Sequence, residues 1–406
     1  MDKFKSALND FKDKFQHPQP QPNNQPTPQP QPTLSTSPPQ DVTHPHPPRL
    51  KWPPKLLTTH ILGEIRDPSP HTYHRDIGRS IQLGHHTYYI FGDTFCFSSS
   101  GTFKGVTNNS IAHIPDPHHP TKSRYLSHSA KVPEFIPFTD PERRFCEDPT
   151  NKAENRRIVN WSFGGIVPLP RSHGTEGWLF YDQVETHGAE AVKQNGIGVA
   201  KVHVDPLTAA IHCHRTAPFP LFSADGPLWG NISNIEAPDG YTYLLSGVGK
   251  ELGLDNYMAR IRSDSDFTDR ACYEFLHKGG EWKKTYEPPF GPFGALEHTV
   301  LSGQGQGAIL HLPGFAPRGR EYVWFGCEKF PTSRLCVGVA ERPEGPWDVR
   351  VLGELPGVGE KVGTRYCVYP HVWGSRLGRG EVLISWSDDG RMGGFVAAAV
   401  FRFEVG

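Results

Sequence analysis

Two aspartates flank a pair of predicted strands near the start of the folded region. The stretch HRDIGRSIQLGHHTYYIFGDTF spans residues 74–95 and contains Asp76 and Asp93. Its first apolar run alternates with polar residues, a turn follows at Gly84, and an aromatic second run ends just before Asp93. The start of one antiparallel strand and the end of its partner lie on the same edge of a sheet. We therefore expect the two carboxylates to face one site.

A pair of carboxylates at one site is what glycoside hydrolysis requires. One carboxylic acid protonates the leaving oxygen, and one carboxylate acts as nucleophile or activates water. A separation of about 5 Å predicts retention of configuration, and about 6.5–9.5 Å predicts inversion. The sequence leaves open which aspartate has which role. In the alternative interpretation, Asp93 is a turn residue and Asp76 is an ion-pair partner of Arg75 or Arg79.

A third acid is a candidate proton donor. Asp225, in the segment ADGPLWG, precedes the first strand of the third repeat described below. Glu236 and Glu297 are competing candidates. Taken alone, each of the three is more often a solvated loop acid. The predicted catalytic residues are thus Asp76, Asp93 and Asp225.

A two-strand pattern recurs five times between about residue 56 and the end of the chain. The repeats are DIGRSIQLGHHTYYIFGD, FGGIVPLPRSHGTEGWLFYDQ, NISNIEAPDGYTYLLSG, GQGAILHLPGFAPRGREYVWFGCE and YPHVWGSRLGRGEVLISWSDD, and a further strand follows each. Antiparallel units that recur every roughly 60–90 residues are typical of propeller blades. The sequence therefore predicts an all-β fold, a five-bladed β-propeller over residues 55–406. A β-sandwich with added helices is disfavoured, because stretches with helical periodicity are few and short.

The first strand of each propeller blade lines the central axis. Its first residues are mostly polar or aromatic here: Asp76, Trp161 with Ser162, Asn231 with Ser233, Gln304 with Gln306, and Tyr366 with Tyr369 and His371. Sugars offer hydroxyls for hydrogen bonds and CH faces for stacking, so this pattern indicates a glycan site. The predicted substrate-binding residues are Arg75, Arg79, Trp161, Trp229, Asn231, Gln306, Tyr369 and His371. For the two arginines, a structural ion pair is an equal alternative. Trp178, Trp324 and Trp386, in second strands, are assigned to packing between blades.

The N-terminal segment differs from the rest of the chain. Residues 1–16 place Phe4, Leu8, Phe11 and Phe15 on one face of a predicted short amphipathic helix. Residues 17–54 are rich in proline and glutamine and predict a disordered linker. The helix either packs on its own domain or docks weakly on a membrane surface or a partner.

Composition limits the classes of partner and cofactor. The 406 residues carry a formal net charge of -1, so no nucleic-acid partner is expected. No apolar run approaches the roughly 18 residues of a membrane span, and the N-terminus has no secretory signal. Seven cysteines without a CxxC pair favour a reduced, cytoplasmic setting, with unconventional secretion as the alternative. The histidine pairs match no zinc pattern and no nucleotide motif occurs, so no metal and no cofactor are predicted.

The chain resembles a known propeller family in several motifs. These are RDIGRSIQLGHHTYYIFGDT, YTYLLSG with NYMARI, LCVGVAERPEGPWD and EVLISWSDDG. They are similar to the five-bladed propeller family of formerly unknown function whose characterised members are endo-D-arabinanases. That family is itself similar in architecture to the arabinanase, xylosidase and invertase propellers. The resemblance implies that Asp76 and Asp93 are the catalytic pair. The missing secretion signal and the histidine-rich insertions around His118 and His212 depart from the family.

Three hypotheses follow. The first is a glycoside hydrolase that acts on a glycan, of arabinan type or a related furanoside. The second is a lectin-like propeller that binds carbohydrate without turnover, with similar shallow sites between blades. The third is a protein-interaction scaffold, which predicts an exposed apolar patch and no acidic cleft.

Overall fold

A computed structural model describes residues 47–127, 129–188, 190–215, 218–247, 255–285, 299–328, 332–359 and 363–406. Within these ranges the chain forms five antiparallel sheets that follow one another as the blades of a β-propeller. This confirms the predicted fold class. The predicted helix at 1–16 and most of the predicted linker lie outside the described residues. No helix in the described part of the chain is long and apolar enough to cross a bilayer.

The first strand, β1 (Leu56–Glu64), belongs to the last blade, so blade 1 begins with the second strand. Blade 1 consists of β2 (Thr72–Leu83), β3 (His86–Phe97), β4 (Phe103–Thr107) and β5 (Ser110–Ile114). Blade 2 consists of β6 (Arg156–Trp161), β7 (Ile166–Pro168), β8 (Glu176–His187), β9 (Glu190–Val204) and β10 (Ile211–His214). In blade 2, β6 and β7 pair with successive parts of β8 and together form the inner strand.

The remaining blades follow the same order from the axis outwards. Blade 3 consists of β11 (Ser233–Glu236), β12 (Tyr241–Gly247), β13 (Asp255–Arg262), β14 (Glu274–Leu276), β15 (Trp282–Lys283) and β16 (Leu301–Ser302). Blade 4 consists of β17 (Gln304–His311), β18 (Tyr322–Glu328), β19 (Arg334–Ala340) and β20 (Asp348–Glu354). Blade 5 consists of β21 (Arg365–Arg376), β22 (Glu381–Asp388), β23 (Phe395–Phe403) and, outermost, β1.

Helical structure is confined to connections in the described ranges. Two short helices, α1 (Asp140–Glu147) and α2 (Pro149–Ala153), join blades 1 and 2. Helix α1 begins with a capping box, in which the Glu142 carboxylate accepts a hydrogen bond from the Thr139 amide. Single 3-10 turns occur at Pro170–Ser172, Arg270–Cys272, Lys278–Gly280 and Leu377–Arg379.

The apolar core consists of five clusters, each between two neighbouring blades. Trp178 of blade 2 stacks on Phe267 beside blade 3, with ring centroids 5.5 Å apart. Trp324 and Trp386 are fully buried in the clusters between blades 3 and 4 and between blades 4 and 5. The three tryptophans thus pack between blades, as the sequence predicts. Aromatic and β-branched residues in the second strands supply this sheet-on-sheet packing.

The ring closes through both ends of the described chain. Strand β1 pairs with β23, and Leu50 forms an isolated bridge with Val405. Leu50 is buried, and the Trp52 indole donates to the Asp348 carboxylate at 2.7 Å. The last residues of the predicted linker therefore contact the propeller. This closing strand had no counterpart among the predicted repeats.

Candidate active site

Asp76 lies where the ladder between β2 and β3 is irregular. The register shifts twice, on either side of Ile77. Ile77 has a φ of 70°, a conformation that a β-branched residue adopts only when its surroundings impose it. The Ser387 hydroxyl accepts a hydrogen bond from the Ile77 amide at 2.8 Å and holds it there. Bulges of this kind redirect neighbouring side chains, and here the redirected side chain is the Asp76 carboxylate.

The Asp76 carboxylate is enclosed and poorly solvated. The Tyr366 hydroxyl donates to its Oδ2 at 3.0 Å, whereas its Oδ1 is buried without a partner among the described residues. Burial raises the pKa of Asp76 to about 7, and the nearby Asp93 charge adds to the effect. The hydrogen bond from Tyr366 offsets only part of this rise. Asp76 can therefore hold or release a proton near neutral pH.

Asp93, on β3, is engaged by two donors from β6. The Arg157 guanidinium forms an ion pair with Oδ2, and the Trp161 indole donates to Oδ1 at 3.1 Å. The Asp93 side chain is 19 % exposed. It does not lie among the residues that line the cavity described next. Asp93 is thus close enough to influence Asp76, but both of its oxygens are occupied.

A cavity of about 150 Å³ opens beside Asp76. Acidic, amide, guanidinium and aromatic side chains contribute to its wall, which consists of Asp76, Ile77, Trp161, Phe163, Gly305, Gln306, Cys327, Glu328, Arg365 and Tyr366. These residues come from blades 1, 2, 4 and 5. A small-molecule or sugar site is expected to combine a few polar groups with aromatic side chains in this way.

Backbone irregularities coincide with this wall in three blades. The register shifts in β2 beside Asp76, in β17 between Gln304 and Gly307, and in β21 between Tyr366 and Tyr369. Each shift lies at or next to a residue of the cavity wall. Bulges are enriched beside active sites, because they turn side chains out of the regular alternation. The cavity is therefore built by local departures from the sheet pattern.

Two of the predicted substrate-binding residues, Trp161 and Gln306, line the cavity. Gln306 is 5 % exposed, and its side-chain oxygen accepts from the Cys367 thiol at 2.6 Å. Trp161 contacts Phe163, with ring centroids 6.0 Å apart, and its indole fixes Asp93. Both residues combine a place on the cavity wall with a structural contact.

The two predicted arginines lie elsewhere. Arg75 is 1 % exposed, packs on the Phe91 ring at 3.9 Å, and donates to the Ile65 carbonyl and the Ser123 hydroxyl. Arg79 is also buried, and it donates to the Gly307 carbonyl at 2.8 Å. Neither lines the cavity. Arg79 connects blade 1 to blade 4, and Arg75 connects blade 1 to segments outside the strands, which is neither of the two roles considered from sequence.

Tyr369 and His371 form a second buried polar cluster with Arg79. The Arg79 guanidinium lies 4.9 Å from the Tyr369 ring centroid. His371 is hydrogen-bonded to Ser80 at 2.6 Å and to Ser385 at 2.8 Å. Burial and the Arg79 charge lower the pKa of His371 to about 3, so this imidazole is neutral at physiological pH. The cluster does not reach the cavity wall, and its hydrogen bonds tie blade 1 to blade 5.

The blade 3 candidates also lie apart from the cavity. Trp229 is 1 % exposed and packs on Phe275, with ring centroids 5.0 Å apart. Asn231 is buried and accepts a hydrogen bond from the Gly247 amide. Asp225 is exposed on a loop and is absent from the wall. Trp229, in the segment just before β11, is therefore a residue of the core between blades 2 and 3.

Three buried or half-buried acids were not among the sequence candidates. Asp182 is 6 % exposed, and burial raises its pKa to about 7, against a weak contact from the Asn231 amide at 3.5 Å. Glu328 lines the cavity, and Asp388 is fully buried on β22. Together with Asp93, each lies on its blade's second strand after an aromatic residue, in the motifs FGD, FYD, FGCE and WSD, and Glu328 and Asp388 are the last residues of their strands. This recurrence is the sequence signal that identifies them.

Histidines and cysteines form no metal centre in the described part of the chain. No group of three or more His, Cys, Asp and Glu side chains there is placed to bind an ion. His113, His212 and His214 border a separate groove of about 310 Å³ between blades 1 and 2. All seven cysteines are free thiols.

Comparison with solved structures supports the architecture. A protein from Bacteroides ovatus assigned as a hydrolase aligns with a TM-score of 0.52 at 16 % identity, over 80 % of this chain and 85 % of its own. A family 117 glycoside hydrolase from Zobellia galactanivorans aligns at 0.46 and 12 % identity, over 86 % and 90 %. An exo-1,5-alpha-L-arabinanase from a bovine ruminal metagenomic library aligns at 0.41 and 13 % identity, over 83 % and 95 %. The first alignment supports the fold alone, and the two lower scores carry no further conclusion.

Sequence comparisons add no family. No family model matches the chain, and no curated protein matches it. The resemblance to the endo-D-arabinanase family therefore stays a prediction from its motifs.

Proposed function

We propose that this propeller is a glycoside hydrolase that cleaves a glycan, of arabinan type or a related furanoside. The observation that carries the proposal is a carboxyl group with a pKa of about 7, Asp76, in the wall of an aromatic-lined cavity. A general acid or base works best when its pKa lies near the operating pH. Trp161, Phe163 and Tyr366 offer faces and edges for a sugar ring, and Gln306 offers a hydrogen-bonding amide.

Asp93, the second aspartate of the pair predicted from the sequence, acts on Asp76 through its charge. Its proximity contributes to the raised pKa of Asp76, and Arg157 with Trp161 fixes its position. Substitution of Asp93 by Asn removes a negative charge beside Asp76 and so lowers the pKa of Asp76. The limb of the pH profile that reports Asp76 should then move to lower pH.

The test is release of reducing ends from arabinan, arabinogalactan, fructan and xylan. We expect wild type to cleave one of these polymers and Asp76→Asn to lose about 100-fold or more of that activity at an unchanged melting temperature. Asp93→Asn should shift the pH profile as described. Asp225→Asn is the matched control, because Asp225 is exposed and outside the cavity wall. Full activity of Asp76→Asn would refute the proposal.

A glycan-binding propeller without turnover is the second candidate. The observation that favours it is that both Asp93 oxygens are already engaged. It predicts saturable binding of a glycan by wild type and by Asp76→Asn, with no reducing ends released by either.

A further inference from the structure

Hydrolysis needs a second carboxylate with access to the bound sugar, and Asp93 does not meet that need. Its two oxygens are held by Arg157 and Trp161, and it is not part of the cavity wall. Asp182 and Asp388 are buried and also outside that wall. The second group must therefore come from another part of the ring.

Glu328 meets the requirement. It ends strand β18 in blade 4 and shares the cavity wall with Asp76. Among the wall residues that the structure describes, these two are the carboxylates. The Glu328 side chain is 18 % exposed and pairs with the Arg334 guanidinium of β19.

A register shift lies beside Glu328, as one does beside Asp76. Glu328 lies opposite Gln304, directly beside the register shift in β17. Gly305 occupies that shift, and a Cβ there would lie 2.9 Å from the Glu328 carbonyl oxygen. The close approach of the two strands thus requires glycine at this position. Both acids of the cavity lie beside a bulge and a glycine contact, since a Cβ at Gly92 would lie 2.5 Å from the Asp76 Oδ1.

We propose that Glu328 is the second catalytic carboxylate, which activates water against a sugar that Asp76 protonates; this inference rests on the hydrolase proposed above. Glu328 takes a proton from a water molecule while the water oxygen bonds to the anomeric carbon. The bond from that carbon to the leaving oxygen breaks, its electron pair stays on oxygen, and the Asp76 proton moves there. Solvent then takes the proton from Glu328 and returns one to Asp76. The first product formed has inverted anomeric configuration.

The experiment uses the full chain with para-nitrophenyl and methyl α-L-arabinofuranosides and with the polymer that wild type cleaves. Glu328→Gln should lower turnover by about 100-fold or more on every substrate. Asp76→Asn should lower turnover more on the methyl glycoside than on the para-nitrophenyl glycoside, because methanol leaves only when the acid donates a proton to it. Glu354→Gln is the matched control. Glu354 lies opposite Arg334 in the ladder between β19 and β20, is exposed, and lies outside the cavity wall.

Two further readouts separate chemistry from folding. Azide should restore turnover of Glu328→Ala and yield a glycosyl azide of inverted configuration, and should not help Asp76→Asn. Glu328→Asp, which keeps the charge one methylene further from the cavity, should show intermediate turnover. NMR of the wild-type reaction should show the inverted anomer first.

The outcomes distinguish this inference from the proposed function. Wild-type turnover that Asp76→Asn abolishes and Glu328→Gln leaves at the level of Glu354→Gln would overturn the role of Glu328 and keep the hydrolase. A retained anomer, or an azide product with the substrate's configuration, would also overturn it. Failure of wild type on every glycan would overturn both.

Discussion

Two poorly solvated aspartates, Asp76 and Asp182, have pKa values near neutrality for the same physical reason. Each carboxyl group has lost its water without gaining enough donors to stabilise the charge. Tyr366 gives Asp76 one hydrogen bond, and Asn231 gives Asp182 a long one. A carboxyl group in this situation is useful for proton transfer and costly for the fold.

That cost gives a pH-dependent prediction for Asp182→Asn. The folded protein keeps a proton on Asp182 up to about pH 7, whereas the unfolded chain releases it near pH 4, so wild type loses stability as pH rises through that interval. The loss amounts to as much as ~4 kcal/mol above pH 7. The Asp182→Asn variant does not lose this stability, because an amide does not ionise in this pH range. Thermal melting should show equal stability at pH 4 and a more stable variant at pH 8, and a difference that stays constant with pH would contradict the prediction.

At the residue scale, three of the residues predicted from type and strand position lie on the cavity wall. Asp76, Trp161 and Gln306 stand on inner strands and line the cavity. The structure places Arg79 and Trp229 away from that wall, because long amphipathic side chains are equally suited to packing between blades. Whether such a side chain turns towards the axis or into a blade interface depends on tertiary packing, which no local pattern encodes.

Strands, at the next scale, were predictable because each blade repeats one hydrophobic pattern. All five predicted pairs correspond to observed inner and second strands. Bulges were not predictable, because a register shift depends on how two strands match and not on either strand alone. Glu328 was missed for this reason: its position at a strand end gained meaning only when the shift in β17 placed it on the cavity wall.

Gly92 tests the importance of the bulge in blade 1. A Cβ at Gly92 would lie 2.5 Å from the Asp76 Oδ1 and 2.7 Å from the Ile77 side chain. Gly92→Ala must therefore displace the carboxylate, and a shift of about 1 Å can cost on the order of 100-fold in rate. Steady-state assays should show this loss, whereas Gly314→Ala, which meets nothing within 4 Å, should be neutral. Unchanged turnover in Gly92→Ala would show that Asp76 tolerates displacement.

At the scale of the whole molecule, the propeller is a ring of five blade interfaces. Each interface has its own apolar cluster, and the one between blades 4 and 5 includes Leu50 from the N-terminal side of β1. Strand β1 covers β23, which would otherwise be an open edge. The stability of the ring therefore depends on a segment that the repeat pattern does not reveal.

Truncation at two points tests this dependence. A chain that begins at residue 47 keeps Leu50, Trp52 and β1, and should melt in the same cooperative transition as the full chain. A chain that begins at residue 65 loses all three, including about 1.5–3 kcal/mol from the buried Leu50 side chain, and exposes β23. It should melt at lower temperature and aggregate. Equal melting of the two chains, measured by circular dichroism, would show that the ring closes without β1.

The pairing of β1 with β23 also means that β1 is synthesised long before its partner strand. A ribosome delivers β1 first and its partner last, with blades 1 to 4 between them. At about 5–20 residues per second, β1 waits on the order of tens of seconds before it can pair. Its sequence, LLTTHILGE, is interrupted by polar residues, which suits a strand that stays solvated during this delay. A nascent chain stopped before β23 consequently leaves β1 unpaired and lacks the β23 side chains that complete the apolar clusters on both sides of blade 5, and chaperones can recognise this exposed apolar surface.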